Sequence, residues 1–123
     1  AFFIELFPVL DSNGAVVHEE GMLRLSAENG THNAGEFMPW ISRLGLSLEI
    51  DKTVTQLAIH HSLESGQNTC VNLTEASVTD DRYQAWFAEM MKKHHDVAEK
   101  ISLDINESAA FSYAKNFIFF MLF

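Results

Sequence analysis

The chain has 123 residues, 47% of them hydrophobic and 20% charged, which excludes a disordered segment and suits one domain with its own core. Seventeen acidic residues against eight basic ones give a net charge of −9, with no run of lysines or arginines. That excludes a nucleic acid duplex, which is held by neutralising its phosphates, but still allows a small phosphate ligand held by one or two local cations.

In chain order, Ala1 to Phe7 is aromatic and β-branched and reads as a strand that stops at Pro8. Asp11-Ser12-Asn13-Gly14 is turn chemistry, with Gly14 free to take a positive φ. Val16 to Leu25 reads as a second strand, so the chain opens on a β-hairpin. Its alternation puts Val16, His18, Glu20, Met22 and Arg24 on one face, with Val17, Leu23 and Leu25 on the other. Glu20 and Arg24 then point the same way, roughly 13 Å apart along the strand, which suits a cation on one and a phosphate on the other. A solvated strand face with a charge pair is the plainer reading.

Ser26 to His32 is polar and glycine-containing and reads as a loop. Asn33 is a helix cap with Glu36 as its reciprocal partner in a capping box, and Phe37, Ile41 and Leu44 form the apolar face. Pro39 shortens or kinks that helix, and Gly45 ends it. A second helix starts with Asp51 as its N-cap, runs a stripe through Ile50, Val54, Leu57, Ala58 and His61, and closes at Gly66. Thr69 to Leu73 is a short buried strand. Asp80 or Asp81 caps a helix whose Tyr83, Trp86, Phe87, Met90, Met91 and His94 make a core-facing stripe. Ile101 to Ile105 alternates as a strand, with Ser102 and Asp104 opposite the aliphatics, and Ser108 caps a last apolar helix beginning near Ala109. After the hairpin, helices separate the strands, which favours parallel pairing with a site at the C-terminal strand ends.

Cys70 is the single cysteine, so no intrachain disulfide forms, and a reducing, cytoplasmic setting is expected. The sequons at Asn29, Asn72 and Asn106 then read as chance matches. No basic-then-apolar leader opens the chain. The longest apolar run, Phe117 to Phe123, has seven residues, far short of the ~20 that span a bilayer. No direct membrane contact is expected from this segment, although a longer parent could be anchored in the inner membrane.

Three strands each offer a hard oxygen donor: Glu20 on the second, Asn72 on the third and Asp104 on the fourth. Such donors suit Mg²⁺, Mn²⁺ or Ca²⁺ rather than zinc. Asn72 and Asp104 also fit as caps of the segments that follow them. The pairs His60-His61 and His94-His95 point about 100° apart on a helix, so they read as surface or interface histidines. Cys70 reads as a buried thiol, and no glycine-rich phosphate loop is present.

Five stretches occur in order: Glu20-Gly21-Met22-Leu23-Arg24, Ala34 to Trp40, Leu44-Gly45-Leu46 with Ile50-Asp51, Val71-Asn72-Leu73-Thr74, and Leu103 to Ser108. Together they resemble the EAL domain, the cyclic di-GMP phosphodiesterase family, whose signatures read Glu-Ala-Leu-Leu-Arg, Glu-Phe-Ile-Pro, Val-Asn-Leu-Ser and Leu-Glu-Ile-Thr-Glu-Ser. The resemblance covers nearly the whole chain. It implies an α/β fold, a partial (β/α)₈ TIM-like barrel of which residues 1–123 are the first half, binding cyclic di-GMP at its C-terminal face. In active members two divalent cations, Mg²⁺ or Mn²⁺, activate a water that attacks a phosphodiester. Glu20 matches the signature metal-ligand glutamate, Asn72 the metal-ligand asparagine, and Arg24 the phosphate-contacting arginine. Pro39 matches the proline of the second signature, placed at the ligand, and Glu107 matches the glutamate that supports a site loop.

Asp104 stands where the family has a glutamate, which leaves its carboxylate about 1.5 Å short. Asn106 replaces a threonine, Gly21-Met22 replaces Ala-Leu, and Phe7 stands where a glutamine precedes the proline. These departures resemble degenerate EAL domains, which bind the dinucleotide without cleaving it or have lost it. Phe37-Met38-Pro39-Trp40 with Arg43-Leu44-Gly45 resembles bacterial membrane-signalling receptors that carry a GGDEF domain ahead of the EAL domain. The expected role is a cyclic di-GMP-sensing module of a longer parent. The alternatives are an active phosphodiesterase in that parent and an interaction module that uses no nucleotide. A complete barrel is about twice as long. Its aspartate pair and lysine would lie beyond these residues, so this piece alone is expected to be inactive. An open barrel edge and an apolar terminus predict a homodimer or a swapped association.

Overall fold

The aromatic and β-branched opening forms β1 (Phe2–Leu10), which reverses at Asp11 to Gly14 into β2 (Val16–Ala27). The turn is held by the Asp11 carboxylate, which accepts from the Asn13 and Ala15 N–H groups at 2.8 and 3.0 Å, while Gly14 takes φ 82°. A computed structural model describes residues 1–105; the last expected helix, its Ser108 cap, Glu107 and the run Phe117 to Phe123 lie outside the described residues.

β1 does not stop at Pro8 but continues to Leu10, with Pro8 opposite Glu19. Among the described residues it is the end strand of the sheet and pairs with β2 alone, so a residue without an N–H sits there at no cost to a second ladder. The expected loop at 26–32 is mostly strand as well. β2 runs to Ala27, and after Glu28-Asn29 the chain returns as β3 (Gly30–Asn33), with Gly30 at φ 120° and Leu25 opposite His32.

Asn33 caps α1 (Ala34–Arg43) through its side chain, which accepts from the Glu36 N–H at 3.2 Å. The Glu36 carboxylate answers by accepting from the Asn33 backbone, as the capping box expects, and it also lies 2.6 Å from Nδ1 of His32, which chiefly holds it below the usual carboxylate range. α1 runs four residues past Pro39 to Arg43, where Gly45 at φ 70° closes it. The Leu46 N–H donates to Ile41 and the Gly45 N–H to Ser42, at 3.0 and 3.1 Å, a Schellman closure.

α2 (Ser47–Ser65) begins before Asp51, so Asp51 is not its cap. The residue lies inside the helix with 2% exposure, because its carboxylate is engaged by a distant segment. Gly66 ends α2 at φ 73°, as expected. Then come β4 (Thr69–Asn72), an unanticipated single turn α3 (Glu75–Val78) capped by Thr74, and α4 (Asp81–Lys93) capped by Asp80. A 3₁₀ turn at Ala98–Lys100 leads into β5 (Ile101–Asp104).

The strands form an unclosed sheet in the order β1-β2-β4-β5, with β3 pairing on β2. β1 and β3 run antiparallel to β2, while β2–β4 and β4–β5 are parallel. β1 occupies one edge of β2 along its length, so β4 and β3 share the other. β4 pairs up to Gly21 and β3 from Arg24, leaving Met22 and Leu23 in the gap between them.

One face of the sheet is apolar and covered. Leu23 and Val71 meet Phe37 of α1 and Ile50, Val54 and Ala58 of α2. A second cluster joins Leu73 and Val78 to Tyr83 and Phe87. The expected α4 stripe thus faces the core through Tyr83 and Phe87, and the buried Gln84 beside them donates to the Val78 carbonyl at 2.8 Å. Between the clusters, the Tyr83 hydroxyl lies 2.8 Å from Oγ1 of Thr55, whose own proton goes to the Asp51 carbonyl. Burial pushes the Tyr83 phenol well up. No helix among the described residues is long and apolar enough to cross a membrane.

Candidate functional site

The opposite face of the sheet collects the polar side chains. In the parallel register Glu20 lies opposite Cys70, Cys70 opposite Ser102, and Asn72 opposite Asp104. Side chains alternate along a strand, so Glu20, Cys70, Asn72, Ser102 and Asp104 share one face, with Asn72 and Asp104 at the C-terminal ends of β4 and β5. Nδ2 of Asn72 reaches Sδ of Met22 at 3.8 Å, which places Met22 on that face too. By strand spacing, the Cα atoms of Glu20 and Asp104 are roughly 12 Å apart, two strands across and two residues along.

Cys70 sits between the two carboxylates and registers both. Burial pushes its thiol up, and the charges of Asp104 and Glu20 add to that shift. Such a thiol resists ionisation, so it is a poor nucleophile. Arg24 occupies the same face of β2, further toward its end. Its Nε donates to Glu5 of β1 at 3.1 Å and its Nη1 to the Leu23 carbonyl at 3.3 Å.

Glu20, Asn72 and Asp104 supply two carboxylates and an amide, the donor types that Mg²⁺ and Mn²⁺ take. Three oxygens are fewer than the about six an octahedral ion requires, so they fit part of a metal site. Among the described residues, no group of three or more His, Cys, Asp and Glu side chains is set to hold a metal ion.

Of these three residues only Asn72 lines the cavity of about 320 Å³ that opens where β2 lacks a neighbour at Met22 and Leu23. Gly21, Met22 and Leu23 line it from the sheet, Ala34 and Met38 from α1, Ile50, Asp51 and Val54 from α2, and Asn72 to Thr74 from the end of β4. Its volume is at the small end of ligand pockets, right for one ring system rather than a whole dinucleotide. Pro39 does not line this cavity; it is exposed on α1, and its neighbour Met38 provides the wall.

Asp51 forms the polar corner of the cavity. Its Oδ2 accepts from the Thr74 N–H at 3.0 Å and from the Thr74 hydroxyl at 2.6 Å, and the Ser77 hydroxyl also bonds the carboxylate. Burial nonetheless outweighs these donors and raises its carboxyl above the ordinary 3.8. A carboxyl raised in the folded state binds its proton more tightly there than in the unfolded chain. Its contribution to stability is therefore fully present below 3.8 and is lost as pH rises through the raised folded value. Asp51→Asn is expected to lack this decline. Urea titrations of both proteins, from below the ordinary aspartate value to neutrality, should show the wild type losing ground to the variant as pH rises; parallel curves would count against it.

Glu5, Met38 and Asp51 were not singled out for the site from the sequence. Glu5 is not reached by counting the hairpin register from the Asp11-Gly14 turn, because an irregularity at Val9/Leu10 shifts the pairing and brings Glu5 opposite Met22 rather than Gly21. Asp51 carries no local signal, because its partner lies 23 residues away.

A family model described as EAL domain matches residues 1–121. Among curated proteins, "Probable cyclic di-GMP phosphodiesterase PdeA" of Escherichia coli strain K12 is 26% identical over 104 residues, covering 80% of this chain and 14% of that protein. Among solved structures, the S helix-GGDEF-EAL portion of Vibrio cholerae LapD bound to c-di-GMP superposes with a TM-score of 0.87 at 20% identity, over 97% of this chain and 30% of that one. The FimX EAL domain of Pseudomonas aeruginosa bound to c-di-GMP gives a TM-score of 0.82 at 27% identity, over 94% of this chain and 48% of that one. The chain therefore spans half or less of the length of each of these relatives.

Proposed function

The chain belongs to the EAL domain family, and from that membership we propose that it acts within its parent protein as a cyclic di-GMP signalling module, binding or sensing the dinucleotide at the C-terminal ends of β2, β4 and β5. One observation carries this reading: Glu20, Asn72 and Asp104 share a face of the parallel part of the sheet, with Asn72 directly opposite Asp104 and itself lining the cavity. Glu20, Asn72 and Asp104 would hold Mg²⁺ or Mn²⁺, which when bound supplies positive charge to phosphate oxygens. Arg24 offers its guanidinium to the phosphate, and the apolar walls at Met22 and Met38 suit the flat face of a base.

A module that binds without cleaving is favoured over an active phosphodiesterase by position 104, where an aspartate reaches less far than the family's glutamate. Calorimetry of the full-length parent with cyclic di-GMP, with and without Mn²⁺, tests this when combined with an assay for the linear dinucleotide. Binding without product supports a receptor, whereas metal-dependent product supports the enzyme. Neither binding nor product would leave a nucleotide-independent interaction module. Asp104→Glu restores the missing methylene and is expected to raise Mn²⁺ affinity by about tenfold, the scale of a single metal-site adjustment. Unchanged affinity would show that reach is not what position 104 lacks.

A further inference from the structure

The backbone around Asn72 is clamped on both sides of its exit from the sheet. On the next residue, the Leu73 N–H donates to the Asp104 carbonyl at 2.9 Å, which locks the end of β4 to the end of β5. One residue further, both donors of Thr74 converge on Oδ2 of Asp51, at 3.0 Å from the N–H and 2.6 Å from the hydroxyl. Thr74 in turn caps α3, its Oγ1 accepting from the Ser77 N–H at 3.4 Å. Asp51 is 2% exposed and fixed within a 19-residue helix, so this anchor comes from a rigid element rather than from a loop.

Placing a carboxylate there is unfavourable in itself. A buried charge needs donors, and an apolar side chain in α2 would pack without that need. What the carboxylate does is accept from two donors of one residue, which pins both the backbone and the side-chain rotamer of Thr74. Among the described residues, the Asn72 side chain, two residues earlier, makes only the weak contact of its Nδ2 to Sδ of Met22 at 3.8 Å. Its direction is set by its backbone.

We propose that Asp51 is a positioning residue for the candidate site: through Thr74 it fixes the exit of β4, so that the Asn72 amide is aimed at the space between Glu20 and Asp104. This rests on the reading of Asn72 as part of a cyclic di-GMP and metal site, and it adds a buried group that acts on the metal ligand through Thr74. Residues that orient a ligand group from behind are commonly worth about 10–100-fold in affinity.

The test uses the full-length parent and three variants at the clamp. Thr74→Val keeps the shape and removes the hydroxyl donor, Thr74→Ser keeps both donors, and Asn72→Ala removes the group being aimed. Mn²⁺ affinity and cyclic di-GMP affinity in Mn²⁺ are measured for each, with urea unfolding as a check on the fold. The expected result is about a tenfold loss for Thr74→Val, affinity near wild type for Thr74→Ser, and no further loss when Thr74→Val is added to Asn72→Ala. A role confined to stability would shift the urea midpoint and leave the affinities alone, or give losses that add in the double variant; either outcome overturns the inference while Asn72 keeps its place. If Asn72→Ala changes neither affinity, or the unaltered protein binds neither probe, the reading of the site fails and the inference falls with it.

Discussion

Phe37→Ala is expected to lower stability by about 3–5 kcal/mol, the range for emptying a buried aromatic site. Phe37 is the buried residue of α1, 8% exposed, and sits in one cluster with Leu23, Ile50 and Val54. Its ring meets Phe2 of β1 edge to face, with centroids 5.6 Å apart and planes at 62°. The remaining apolar residues of α1 hold less: Trp40 is 61% exposed and lies against Arg43, and Met38 and Ile41 are partly buried. Docking of α1 therefore hangs on one ring, and so does the cavity wall that Met38 provides. Urea unfolding with an unchanged slope measures the loss directly. A decrease below about 1 kcal/mol would mean that the site collapses around the vacancy or that α1 is held by something else.

The same residue shows what a sequence can disclose. Phe37 is apolar at a helical spacing behind a capping asparagine, and both signals are local, so its burial was legible. So was the parallel pairing of Thr69–Asn72 with Ile101–Asp104, because strands separated by helices favour right-handed parallel crossovers. Pro8 was misleading for a physical reason: the same dipeptide ends a central strand and is harmless in an end strand, and only the finished sheet says which it is. The stretch 26–32 failed similarly. Its polar residues look like a loop because β3 is short and one-sided, and β2 supplies the ladder that makes it a strand.

Asp51 is the most informative difference. An aspartate ahead of an apolar stripe is a sound capping signal, and Asp80 obeys it at α4, where its carboxylate accepts from the Arg82 N–H at 2.8 Å and is held below the usual range chiefly by the Arg82 side chain. At Asp51 the same chemistry serves the exit of β4 instead, because helix formation had already begun at Ser47. Glu20, Asn72 and Asp104 were legible as donors from type and strand position. The cavity that Asn72 lines was not, because it exists only where β3 and β4 leave β2 unpaired.

Arg24→Ala is expected to weaken cyclic di-GMP binding by about 1.5–3 kcal/mol, the contribution of a charged hydrogen bond. The side chain is 18% exposed and already turned along the sheet by Glu5, so its guanidinium needs little reordering to meet a phosphate. Glu5 takes Nε and the Leu23 carbonyl takes Nη1, and a guanidinium carries more donors than these two contacts use. The ion pair itself contributes at most about 1 kcal/mol, because Glu5 is half exposed, so its loss should leave the fold intact and the affinity change should report on ligand contact. Arg24→Lys separates charge from geometry: it retains the cation and loses the planar fork, and an affinity between wild type and alanine is expected. Calorimetry on the full-length parent, with circular dichroism as the control for folding, measures all three proteins. Equal affinities across them would remove Arg24 from the site and leave it as the strand-pairing partner of Glu5.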